Sequence, residues 1–269
     1  MPAAVLARYR ACMGTNRTKP EAGLARRRRS PVRALTGMGF LAVLVAPLST
    51  AGSAEAQDTS CDGPTVAKSV LTTIDGVSIA TYSQGQGTTA VVLVHQVNQD
   101  HCGWSAEAGA LAKKYRVMSI DLRGYGTSQR AKGTTAFAYR NDIAAAATEL
   151  RAKGAKKVVL VGASMGGSAV VVAGAFINPP VDAIVAVSAP TNYKGQNAKT
   201  AAPKLTIPAR FLAASDDGAA VSSAKSLDRS ATGSPNHQAV VFAKGGHGWA
   251  LLQPGSPAEL ALTTFIDSL

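Results

Sequence analysis

Gly162-Ala163-Ser164-Met165-Gly166 places a serine in the spacing G-x-S-x-G. It directly follows the apolar run 157–161 and directly precedes a helix-compatible stretch. In that context the spacing points to a nucleophile on a sharp strand-to-helix turn. A Cβ on either flanking residue would clash with neighbouring backbone. The turn lifts the Ser164 hydroxyl out of the sheet and sets it at a helix N-terminus. There, backbone N–H groups and the helix dipole favour a developing negative charge. A serine alone is a weak nucleophile and needs a base. Of the four histidines, His247 suits the task, because Gly245-Gly246-His247-Gly248 is a flexible loop just past a predicted strand. It also comes last in the order serine, acid, histidine. His95 closes a predicted strand and is expected to pack or hydrogen-bond locally. His101 and His237 stand in polar loops and are expected at the surface.

An imidazole base needs a carboxylate to hold its tautomer and stabilise the imidazolium. Ser215-Asp216-Asp217 follows the apolar run 209–213. Two adjacent aspartates point in different directions, so only one should reach His247. Asp217 is the first choice and Asp216 the second, the remaining one acting as turn-former or helix cap. The oxyanion of a tetrahedral intermediate needs N–H donors. Met165, next after the nucleophile, supplies one. The other should come from the loop after 90–95, with Val97 first and Gln96 second.

Stepping outward, strands and helices must alternate to position these groups. Short alternating runs at 69–74 and 77–82 flank Asp75-Gly76, a hairpin signal. Buried-type strands are predicted at 90–95, 116–120, 157–161, 181–187, 209–213 and 238–242. Helices are predicted at 104–114, 134–153, 166–176, 219–229 and 257–268. This alternation implies an α/β fold: a mostly parallel, doubly wound sheet with helices on both faces. The stretch 190–208 is the only long linker between regular elements. It is too short to make a lid domain, so an open site is expected.

The formal net charge of +12 is unevenly placed. Residues 1–56 hold nine Lys/Arg and two Glu, and so contribute +7. The remaining basic residues are scattered, which argues against a nucleic-acid partner. Residues 1–56 read as an export signal: arginines 26–29 and Arg33, an apolar run 35–48, and the cleavage pattern Ala54-Glu55-Ala56. The apolar run is shorter than the ~20 residues that span a bilayer. No stable membrane anchor is expected after cleavage, and the product is expected to be secreted or extracytoplasmic. Residues 57–68 then form a linker and 69–269 the catalytic domain. Cys61 and Cys102 remain, and in an exported chain they are expected to form a disulfide. Closing that loop would stabilise by roughly 4 kcal/mol. No C-x-x-C or H-x-x-x-H spacing occurs, so no metal site is expected.

Taken together, His95-Gln96, Asp121-Leu122-Arg123-Gly124-Tyr125-Gly126-Thr127-Ser128, Gly162–Gly166, Ser215-Asp216-Asp217 and Gly246-His247-Gly248 resemble the α/β-hydrolase superfamily in order and spacing. The likeness covers about residues 69–269 and is nearest to small, lidless members of the esterase and dienelactone-hydrolase kind. It implies Ser164, Asp217 and His247 as triad, and Met165 and Val97 as oxyanion donors. Asp121 and Arg123 are implied to be structural. One departure stands out: Gln96 occupies the place of the family's usual glycine. The implied activity is hydrolysis of an ester or related acyl bond in a small molecule, through an acyl-enzyme and without a cofactor. The same triad could act on amides, thioesters or in perhydrolysis. A non-catalytic secreted binding module on this fold is the rival.

Overall fold

The computed structural model describes residues 61–269, so the proposed export segment and residues 57–60 of the linker lie outside the described residues. Runs of Val, Leu, Ile and Ala bracketed by polar turns make eight strands. They are β1 (Ala67–Thr72), β2 (Ser78–Gln84), β3 (Thr89–Val94), β4 (Arg116–Ile120), β5 (Lys157–Ala163), β6 (Ala183–Val187), β7 (Ala209–Ala214) and β8 (His237–Phe242). They form one sheet in the order β1-β2-β4-β3-β5-β6-β7-β8. β2 runs antiparallel to both β1 and β4, and every other neighbouring pair is parallel. The Asp75-Gly76 turn joins β1 to β2, closed by Gly76 N–H donating to Thr73 O at 2.9 Å.

The helices are α1 (Ser105–Leu111), α2 (Tyr139–Ala152), α3 (Met165–Phe176), the single turn α4 (Ala198–Ala201), α5 (Gly218–Ser230) and α6 (Pro257–Asp267). Alternation along each strand sends successive side chains to opposite faces. Val92, Leu160, Ile184 and Phe211 pack with Ile143, Val170 and Leu227 of α2, α3 and α5. Val91, Val159, Val185 and Leu212 pack on the other face with Leu111, Leu262 and Phe265 of α1 and α6. Both faces are therefore dry, as parallel strands require. Among the described residues, no helix is long and apolar enough to cross a membrane.

Three local expectations change. The predicted helix 134–153 begins only at Tyr139, because Gly133–Thr135 forms a separate 3-10 turn. The stretch 190–208 is more than a linker. Asn197 caps α4 by accepting from Thr200 N–H, and the buried Gln196 donates to Phe137 O at 2.7 Å. His101 is not a surface residue. Its ring stacks on Tyr82, and its two nitrogens meet Asp121 at 3.0 Å and Asp62 at 3.1 Å. The neighbouring Cys102 explains the burial: its sulfur lies in disulfide geometry with that of Cys61, with Cα atoms 5.5 Å apart. The ring is thereby drawn under the N-terminal segment.

The loop after β4 is held by buried charge. Asp121 accepts from the backbone N–H groups of His101 and Thr127. The fully buried Arg123 guanidinium donates to Asp142 at 2.7 Å and to Asp75 at 2.6 Å. These contacts agree with a structural role for both residues.

One buried carboxyl lacks such partners. Glu107 of α1 is 3% exposed, and neither of its carboxyl oxygens has a hydrogen-bond partner among the described residues. Burial, and secondly the nearby Glu259 carboxylate, pushes its pKa up to about 8. An unfolded glutamate titrates near ~4.3. Between those values the folded chain keeps a proton that the unfolded chain has lost. Stability therefore falls as pH rises through that window and levels off above it. Glu107→Gln removes this loss. It is expected to gain about 1 kcal/mol over the native chain per pH unit between roughly pH 5 and 8. Denaturant titrations across that range read the difference, and a constant offset would contradict it.

Candidate active site

The turn from β5 into α3 has no room for extra atoms. A Cβ on Gly162 would lie 2.2 Å from Gly166 O, and one on Gly166 would lie 2.3 Å from Val94 O. Between them Ser164 adopts φ 49° and ψ −115°, a left-handed conformation that serine rarely takes. Its N–H donates to Val187 O at 2.8 Å, and its carbonyl accepts from Ser168 N–H at 3.0 Å, opening α3. Strain at one residue, held by three packed segments, presents the hydroxyl at the sheet's carboxyl edge.

His247 sits on the loop after β8, just before the 3-10 turn Gly248–Leu252. Its Nδ1 lies 2.7 Å from Asp217 Oδ2. The imidazole is half-exposed, whereas the Asp217 side chain is 16% exposed. Asp217 occupies the N-cap position of α5, yet its side chain makes no cap hydrogen bond and is left to His247. Asp216 lies in the turn Ala214–Asp217, closed by Asp217 N–H donating to Ala214 O at 3.0 Å, and its carboxylate has a further task. It accepts from Gly246 N–H at 3.1 Å and Gly245 N–H at 3.4 Å. Those two N–H groups, Gly246 first, hold its carboxyl below the usual aspartate range. The adjacent aspartates thus divide the work: one holds the ring and the other holds the loop. Sequence reading missed the second role, although two glycines before a histidine offer free N–H groups.

The His247 loop lies against the Ser164 turn. A Cβ on Gly248 would come 3.5 Å from Ala163 Cβ and would overlap the Gln96 side-chain oxygen. Among the described residues, Ser164 and His247 make no direct hydrogen bond. Such bonds often tighten only when substrate is bound. Met165 is the first helical residue, so its N–H has no acceptor inside α3. Val97 lies half-buried against the core that holds Met165. Asn98, with φ 57°, turns the chain just beyond Val97.

His95 sets the start of that loop. It is fully buried; Leu122 N–H donates to its Nε2 at 3.0 Å, and its Nδ1–H donates to Gln96 O at 2.8 Å. Burial lowers its pKa, consistent with a neutral ring that accepts on one side and donates on the other. His237 opens β8 and pairs with Asp228 at 2.8 Å, far from the serine in sequence and role. Among the described residues, the group with metal-ligand potential is Cys61, His101 and Cys102, whose ligand atoms lie within 4.8 Å of one another. With the two sulfurs in disulfide geometry it offers no thiolate pair.

The family model described as "alpha/beta hydrolase fold" matches residues 89–204. A curated relative is the dihydrolipoyllysine-residue acetyltransferase component of the acetoin cleaving system of Cupriavidus necator, 28% identical over 167 residues. That match covers 55% of this chain and only 41% of the relative's length. Among solved structures, an esterase of Pyrococcus furiosus superposes with a TM-score of 0.62 at 16% identity, covering 75% of this chain and 90% of its own. A Thermogutta terrifontis esterase, solved with malate bound, gives 0.62 at 19% identity, covering 75% and 98%. An enzyme described as degrading N-acyl homoserine lactones gives 0.59 at 17% identity, covering 72% and 99%. At these identities the likeness establishes the fold.

The packing of the serine turn is testable with two glycines. Gly166→Ala drives a Cβ into backbone that no side-chain rotation can clear, and is expected to cost about 3 kcal/mol or more. Gly109→Ala, inside α1 with open space around it, is expected to stabilise by about 0.5–1 kcal/mol. Thermal or chemical denaturation of both variants reads the contrast, and equal effects would contradict the packing described.

Proposed function

We propose that this chain, which has the α/β-hydrolase fold, is a secreted serine hydrolase that cleaves an ester or related acyl bond in a small molecule. A fold of this kind hosts many chemistries, so the reading rests on the site rather than on the likeness. The observation that carries it is the His247–Asp217 contact of 2.7 Å on a loop packed against the strained Ser164 turn.

In the proposed mechanism His247 Nε2 takes the Ser164 hydroxyl proton as Oγ attacks the acyl carbonyl. Asp217 keeps the other ring proton on Nδ1 and stabilises the imidazolium. The tetrahedral oxyanion lies against the Met165 N–H and a second N–H from the Gln96–Val97 backbone. The imidazolium then returns the proton to the leaving alcohol, and the acyl-enzyme forms. Water, deprotonated by the same imidazole, releases the acid and restores Ser164. No step needs a metal or organic cofactor.

Residues 1–56 are proposed as a cleaved export signal, 57–68 as a linker and 69–269 as the hydrolase domain. Export into an oxidising compartment suits a Cys61–Cys102 disulfide.

Ser164→Ala is expected to lower kcat on short 4-nitrophenyl esters by at least ~10³-fold without loss of fold. Labelling of Ser164 by a fluorophosphonate probe should be lost with it. Asp217→Asn is expected to cost a comparable factor, because the ring loses its tautomer. Asp216→Asn should cost far less, since it loosens the loop and leaves the ring its partner. Full turnover by Ser164→Ala, or a native chain inert to both ester and probe, would overturn the proposal in favour of a binding module.

A further inference from the structure

Beside the serine turn, one exposed cation is held in place by aromatic rings. Lys194 stands in the turn between β6 and α4, with φ 46°, a conformation that lysine rarely adopts. Tyr193 and Gln196 pair across this turn through N–H···O bonds of 3.1 and 2.8 Å. The buried Gln196 side chain ties it to Phe137 O, in the loop before α2. The turn is thus fixed at its base, and its tip directs the lysine.

The Lys194 ammonium lies 5.9 Å from the centre of the Tyr125 ring, 5.8 Å from Phe137 and 5.7 Å from Tyr193. All three are within the ~6 Å at which a ring face attracts a cation. Its Nζ also donates to the Tyr125 hydroxyl at 3.3 Å. That hydroxyl donates in turn to Met165 Sδ at 3.5 Å. Met165 is next after Ser164, so the ammonium stands two contacts from the nucleophile's neighbour. Phe137 is 48% exposed, so the ring cluster is open to solvent. Among the described residues no carboxylate lies within ion-pair distance of Lys194. An ammonium has three N–H donors, and one meets Tyr125, which leaves two for a ligand.

We propose that Lys194 selects the substrate of the Ser164 site by pairing with a carboxylate carried on a small ester, while Tyr125, Phe137 and Tyr193 hold the ammonium and flank the chain that joins carboxylate to ester. The proposal rests on Ser164 being the nucleophile of a hydrolase. The rings supply what an exposed lysine ordinarily lacks, a defined position. The carboxylate supplies what the cluster lacks, an anion. A lysine acting merely as a latch between the turn and Tyr125 would affect charged and neutral esters alike.

The full chain is assayed on two matched ester pairs. The 4-nitrophenyl half-ester of adipic acid against 4-nitrophenyl hexanoate puts the charge on the acyl side. Acetate esters of 4-hydroxybenzoic acid and of phenol put it on the alcohol side. In at least one pair the charged ester is expected to have the higher kcat/KM, by about tenfold at low salt, with the gain carried in KM and reduced at high salt. Lys194→Met should bring that ratio down by about tenfold, and Lys194→Arg should restore most of it. If both ratios are the same in the native chain and in Lys194→Met while esters are turned over, the selection is overturned and the hydrolase stands. If no ester is turned over and Ser164 is not labelled by fluorophosphonate, the hydrolase reading falls and the selection with it.

Discussion

The close approach of three backbone segments around Ser164 is the constraint on which the rest of the molecule depends. β5 ends, α3 begins and β3 passes beside them with no space for a Cβ at Gly162 or Gly166. That contact forces Ser164 into its left-handed conformation and leaves Met165 N–H at the start of a helix. It also fixes the end of β3, because Gly166 packs on the carbonyls of Val94 and His95. The start of the loop after β3 is therefore set by the same packing. β7 and β8 run parallel to β5, so their following loops open at the same edge. In open α/β sheets that edge is where ligands bind. Asp216, Asp217 and His247 arrive there by topology, not by chance.

A second layer keeps the edge stiff. Arg123 is fully buried between Asp142 and Asp75, and Asp121 gathers donors from two loops. Burying charge costs free energy, and removing a single partner costs more than the pair contributes. The return is position. These contacts hold the loop that carries Tyr125 beside Met165 and His95. His95 extends the same support: one ring nitrogen takes the Leu122 N–H and the other gives a proton to Gln96 O. The loops after β3 and β4 are thereby tied together through one neutral imidazole.

Much of this is legible in the chain itself. Strand periodicity, the Asp75-Gly76 turn and the G-x-S-x-G spacing each rest on local sterics, and local sterics can be read from neighbouring residues. The pairing of His247 with an aspartate after β7 follows from parallel topology. What could not be read depends on contacts between residues distant in the chain. His101 looks like a surface residue until Asp62 and Asp121 are brought to its two nitrogens. Asp216 looks like no more than a turn-former or cap until the glycine loop 30 residues on presents its N–H groups. Lys194 looks like one solvated lysine among many until Tyr125 and Phe137, both from the connection between β4 and α2, join its neighbour Tyr193 around it. The start of α2 lies at Tyr139 and not at 134 because a 3-10 turn replaces the first α-turn, a choice made by packing rather than by propensity.

Gln96 shows how a departure from a family pattern can be absorbed. A side chain replaces the usual glycine on the loop expected to bind the oxyanion, and it must go somewhere. Its oxygen lies where Gly248 would carry a Cβ, with Ala163 forming the next wall. Gly248, at φ 66°, supplies both the space and the backbone turn. The volume gained at position 96 is thus matched by volume missing beside His247. The Gln96 carbonyl is held separately, by the His95 ring. The backbone of this residue is therefore held by a hydrogen bond, whereas its side chain packs between the loop after β3 and the His247 loop, its buried oxygen without a hydrogen-bond partner among the described residues.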